Sequence, residues 1–314
     1  MNGRNEVMIQ RIRAAPVDSS LRFAVAGDSG AWPDPTAEAI FGQLVRQIAA
    51  LDPLPVFFAN LGDFAGPGTL DRHQRYVELV EPLPIPDLCI VGNHDLDDPD
   101  GPATFERFHG PMNFEFAHGH TRFVAIHGQP GIAGEIVVPG VGSPEGTQGP
   151  RDEDLAFLDR SLHRAGEPHR VVLMHMPPHL EGHYAPHTDW GFKQREKEFL
   201  DLLQTHGVSL VVCAHGLAFD HHVRDGIHFV MSGGGGTGLC SHLSGICTEG
   251  AGRPEDRGAL FHAVELTIHD RGAVSGRVIQ AFADQAVPAR FSFGDSAGQE
   301  MPTGRARRSP AERP

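Results

Sequence analysis

The chain has 314 residues, 40% hydrophobic and 21% charged, with a formal net charge of -14. That length suits one large α/β domain or two small ones and supports a sizeable core without disulfide staples, and the composition excludes global disorder. The acidic balance excludes general nucleic-acid binding, because phosphate contacts need clustered Lys and Arg, and it disfavours anionic membranes; a bound cation can still reverse the sign locally for an anionic substrate.

Residues 1–16 carry scattered Arg and no apolar core of signal-peptide length, and no stretch approaches the roughly 20 apolar residues of a membrane span. A cytoplasmic protein with no membrane partner is expected. Residues 21–26 are a short apolar run that ends in Gly27-Asp28. Residues 36–51 have apolar side chains at helical spacing. Residues 56–60 form a second run, ending in Gly62-Asp63, and 69–80 read as a helix. A third run at 88–91 ends in Gly92-Asn93-His94-Asp95, a fourth at 171–174 in His175, and a fifth at 210–213 in Ala214-His215. Strands alternating with helices predict a mostly parallel sheet covered by helices. Residues 121–126, 227–231, 259–268 and 273–281 alternate more and predict antiparallel strands with one exposed face. The expected architecture is a four-layer α/β/β/α sandwich, two mixed β-sheets flanked by helices.

Residues 129–150 and 233–258 are Gly- and Pro-rich loops. Residues 1–20 read as an N-terminal extension, 21–285 as one domain and 286–314 as a disordered tail. Cys89 and Cys213 lie in apolar runs as small buried hydrophobes. Cys240 and Cys247 leave a disulfide open, and together with His242 they fit no common zinc spacing.

One pattern recurs five times: a short apolar strand followed by one polar residue of metal-binding type. The residues are Asp28, Asp63, Asn93, His175 and His215. In an open α/β sheet the C-terminal strand edges line one crevice, so positions far apart in sequence converge. A single Asp after a strand is more often a cap or turn residue; five in order, with carboxylate, amide and imidazole chemistry, point to a metal centre. The chain has twenty histidines, most of which are expected on the surface. Arg72, His73 and Arg75 read as a solvated helix face, and Met174 and Met176 as core.

Gly27-Asp28-Ser29-Gly30, Gly62-Asp63, Gly92-Asn93-His94-Asp95, His175-Met176-Pro177-Pro178 and Ala214-His215 resemble the successive motifs of calcineurin-like metallophosphoesterases, nearest to the purple acid phosphatase branch. The resemblance implies hydrolysis of a small-molecule phosphate ester by metal-activated hydroxide. In such proteins a carboxylate matching Asp63 bridges two ions, and one ion also takes Asn93, His175 and His215. Mixed oxygen and nitrogen donors suit Mn, Zn or Fe. The second ion is left with Asp28 and the bridge, because Gly30, Gly66 and Leu217 stand where relatives carry His, Tyr and His. One ion is the expectation and two the alternative; His127, His221 and His222 are candidate substitute ligands, against a reading as surface or supporting residues. His94 matches the general acid, with Asp95 as its orienting carboxylate, and His183 is nearest to a substrate-binding histidine, whereas His179 and His187 read as solvated. The other functional class is a catalytically impaired relative that serves as a binding or regulatory module.

Overall fold

The computed structural model describes residues 3–128, 149–178, 191–192, 194–239, 260–282 and 292–293. Two six-stranded sheets face each other. In the first, β1 (Leu21–Ala26), β2 (Phe58–Asn60) and β3 (Asp87–Cys89) run parallel, and the other flank of β1 pairs antiparallel with β10 (His262–Ile268), followed by β11 (Val274–Gln280) and β12 (Ser292–Phe293). In the second, β5 (Thr121–Ala125), β6 (His169–Leu173), β7 (Leu210–Cys213) and β9 (Ile227–Ser232) run parallel, edged by antiparallel β4 (Phe114–His118) and β8 (Phe219–Arg224).

The strands are apolar on both faces because both faces are covered. Phe23, Val25 and Leu88 of one sheet meet Phe123, Val171, Leu173 and Val212 of the other in a central core. Helices α2 (Pro35–Ala49), α3 (Leu70–Val80) and α4 (Gly101–His109) cover the outer face of the first sheet through Phe41, Leu44, Tyr76 and Phe105. Helices α5 (Asp152–His163) and α6 (Glu196–Thr205) cover the second through Leu158 and Phe199. This is the expected pair of mixed sheets flanked by helices.

Three expectations are corrected. β5 and β9 run parallel to their inner neighbours, since α5 and α6 bury the face expected to be exposed. Within residues 1–20, α1 (Arg4–Ala14) packs Met8, Ile9 and Ile12 into the central core. Asn5 of α1 donates to Cys89 O (2.8 Å) and accepts from Cys89 N–H (2.9 Å), so a side chain satisfies the backbone of edge strand β3. Part of the stretch expected as a tail forms β12. Cys240, His242 and Cys247 lie outside the described residues.

Candidate metal centre

The parallel strands β1, β2, β3, β6 and β7 deliver Asp28, Asp63, Asn93, His175 and His215 to one sheet edge, as their polarity requires. Asp28, Asp63 and His215 all leave their strands in the left-handed backbone region, at φ 58°, 56° and 66°. Non-glycine residues rarely adopt that conformation and hold it mainly where the surroundings impose it, which is characteristic of functional sites. Gly62 is also left-handed (φ 100°), and a Cβ there would lie 2.6 Å from His175 Nδ1. A Cβ on Gly92 would collide with the Asp63 carboxylate. These glycines let ligand side chains and backbone come close.

His175 Nε2 is the hub. It lies 3.1 Å from Asn93 Oδ1, 3.2 Å from His215 Nδ1 and 3.3 Å from Asp63 Oδ2. The donor atoms of Asp63, His175 and His215 all fall within 4.8 Å of one another. An ion with bonds of about 2.0–2.1 Å spaces adjacent donors about 3.0–3.4 Å apart, and the three spacings around His175 Nε2 match donors that share one ion. His175 Nδ1 donates to Leu61 O (2.7 Å), which leaves the Nε2 lone pair for an ion.

The charges answer one another. Asp63 is buried, yet His175 and His94 outweigh that burial and hold its carboxyl well below the usual range. Burial disfavours the charged form of His175, but Asp63 prevails and its pKa is pushed up to about 9. Burial, with His175 nearby, pushes His215 down to about 3, where it is a neutral donor.

Asp28 stands beside the cluster. Its Oδ2 accepts the His215 backbone N–H (2.8 Å), and burial followed by the charge of Asp63 pushes its pKa up to about 8. Around Gly30 and Gly66 the backbone packs tightly. Gly30 N–H donates to Asp63 O (2.8 Å) and Gly66 N–H to Gly30 O (2.9 Å). A Cβ on Gly30 would lie 2.6 Å from Phe64 O, and one on Gly66 would collide with Ala31 O. Leu217 packs against the outer core of the second sheet.

His94 is oriented by a residue other than the expected one. Asp95 is fully buried, and its carboxylate accepts four backbone N–H groups: Asp63 (2.9 Å), Gly92 (2.8 Å), Phe64 (3.0 Å) and Ala65 (2.8 Å). It therefore pins the loops that carry Asp63 and Asn93. His94 Nδ1 instead meets Asp97 Oδ2 at 2.6 Å. Residues 94–96 form a single 3-10 turn that brings residue i+3 back over residue i; Asp97 was legible only through that spacing. Burial opposes charge on His94, but Asp63 and Asp97 prevail and raise its pKa to about 9. Trp32, also missed, lies with its ring centroid 4.8 Å from that of His94.

The candidate substitute ligands are placed elsewhere. His221 Nε2 pairs with His228 Nδ1 (3.1 Å) and its ring stacks on Phe293, between the sheets and away from the centre. His222 pairs with Asp220 (3.1 Å). His127 is buried at the end of β5 with Nδ1 3.5 Å from an Arg151 nitrogen, outside the ligand cluster. Arg72 and Arg75 pair with Glu38 and tie α3 to α2. His179, His183 and His187 lie outside the described residues. Among the described residues, no helix is long and apolar enough to cross a membrane.

A family profile described as calcineurin-like phosphoesterase matches residues 21–218, more than half of the chain. The chain belongs to that family, whose members are metal-dependent phosphoester hydrolases. No curated protein matches it. Similar solved structures include the purple acid phosphatase PPD1 of yellow lupin (Lupinus luteus) seeds, at 17% identity and TM-score 0.61, covering 88% of this chain and 54% of that one. GAP50 of Plasmodium, described as the anchor in the inner membrane complex, matches at 13% identity and TM-score 0.61, with 90% of each chain covered. A dimetal phosphatase from Danio rerio matches at 12% identity and TM-score 0.59, covering 83% of this chain and 96% of that one. At these identities the likeness is one of fold.

Proposed function

We propose that the chain hydrolyses small phosphate esters at a centre that holds one ion. The observation that carries this reading is the four-donor cluster around His175 Nε2, with His94 held beside it by Asp97. Asp63, Asn93, His175 and His215 hold the ion; their mixed donors suit Zn, Mn or Fe. When bound, the ion lowers the pKa of water and offsets phosphoryl charge. The absence of side chains at Gly30 and Gly66, and the turn of Asp28 toward a backbone N–H, leave a second ion without a shell.

His94 supplies the proton. Asp97 holds Nδ1 and favours the imidazolium, so Nε2 is the atom turned to substrate and carries the proton. Water oxygen bonds to phosphorus and releases one proton to solvent, the bond from phosphorus to the ester oxygen breaks, that oxygen takes the Nε2 proton and leaves as the alcohol, and His94 regains a proton from solvent. The His94 backbone N–H donates to Asp63 Oδ1 (2.9 Å), which ties the acid to the ligand loop.

Metal analysis of the purified protein, followed by assays on aryl phosphate mono- and diesters with Mn, Zn or Fe, tests this. One ion per chain is expected, lost in His175→Ala and His215→Ala. In His94→Ala the ion remains and activity falls by about 100-fold or more. Two tightly held ions would overturn the single-ion centre. The fold of GAP50, described as an anchor, frames the other reading, a binding module; inactivity with every metal would favour it.

A further inference from the structure

Trp32 is the feature that the reading above leaves unused. It is 45% exposed, whereas residues 23–31 before it are almost entirely buried. Its segment is braced: Ala31 N–H donates to Thr237 Oγ1 (3.0 Å), and the Asp34 side chain caps α2 just beyond it (2.8 Å to Thr36 N–H). The indole is therefore held beside the proposed acid at a centroid distance of 4.8 Å while nearly half of its surface stays open. Tryptophan in that setting offers a rigid π-face at small cost in conformational entropy.

Position decides what meets it. The proton on His94 Nε2 must reach the ester oxygen over about 2.6–3.2 Å, so the leaving group comes to the part of the site that Trp32 flanks. The nearby cation is already engaged: Arg72 donates to Glu38 (2.9 Å) and to Gly66 O (3.1 Å). A further phosphate or carboxylate on the leaving group gains nothing from it, whereas a flat unsaturated ring does gain from the indole. Resting on the phosphoesterase reading, we infer that Trp32 is a specificity-determining residue that stacks on an aromatic ring bonded directly to the ester oxygen. The preferred substrates are aryl phosphates. A nucleoside monophosphate carries its ring a sugar's length further out and is the weaker fit.

Two measurements test this. In calorimetric titrations, non-hydrolysable phenylphosphonate binds the ion-loaded protein about tenfold or more tighter than methylphosphonate; Trp32→Ala removes the difference, mainly by weakening phenylphosphonate. In assays, Trp32→Ala raises KM for 4-nitrophenyl phosphate about tenfold with kcat within about threefold, while Trp32→Phe retains most of the preference and glycerol 2-phosphate changes less than the aryl ester. Adenosine 5′-monophosphate shows a smaller change than the aryl ester, and an equal or larger one would overturn the assignment to aryl groups. Activity on all esters without a phenyl preference, or one that survives Trp32→Ala, sinks the role of Trp32 and spares the phosphoesterase. If neither phosphonate binds and no ester is cleaved, both readings fall.

Discussion

The two carboxylates on either side of Leu96 do different work, and the difference can be measured. Asp97→Asn keeps a hydrogen-bonding side chain but removes the charge that, together with Asp63, raises His94. The expected result is a loss of about 10- to 100-fold in activity with the ion retained. Removing a stabilising anion lowers the pKa of an imidazolium, so the alkaline limb of the pH profile moves to lower pH. A profile unchanged in shape would remove Asp97 from the mechanism. At this scale the sequence showed which chemistry gathers at the strand ends, because each run hands over to one polar residue at a definite place. It did not separate Asp95 from Asp97, since neighbouring carboxylates differ only in where a tight turn aims them. Nor did it place His221, whose face was hidden until strand β8 was known.

Helix α1 is an example of an element that residue patterns left unread. Its few apolar residues fill the end of the sandwich, and its polar Asn5 stands in for a missing strand against Cys89. Asn5→Ala leaves a buried N–H and carbonyl on β3 without partners, which is expected to cost about 1–3 kcal/mol, read as a lower urea midpoint with activity retained in the folded protein. No change in the midpoint would mean water replaces the amide. Inner strands such as β1 and β7 were legible to the residue because burial on both faces leaves a nearly continuous apolar run, interrupted only by Arg22 in β1. The sheet edges β4 and β8 escaped because one face of each is only partly covered and reads as loop, as in Phe219–Arg224 with its two adjacent histidines.

The histidine content acquires a physical meaning across the molecule. Many of these rings are interior: burial pushes His73, His127 and His262 down to about 4 and His221 to about 3. Unfolded, each takes a proton near pH 6.5; folded, none does until far lower. Between those values the unfolded chain binds more protons, so stability falls as pH falls, by up to about 1.4 kcal/mol per pH unit for each such ring. His94 is raised and acts in the opposite window, from about 6.5 to 9. The urea midpoint is expected to drop between pH 7 and 5, and a flat profile would contradict the burial.

The closure of backbone around Gly30 and Gly66 also bears on ancestry and engineering. An open berth there would let a single codon change supply a second-site ligand. Instead a carbonyl oxygen stands where each new side chain would begin, so on the single-ion reading a ligand at either position needs its loop to shift first.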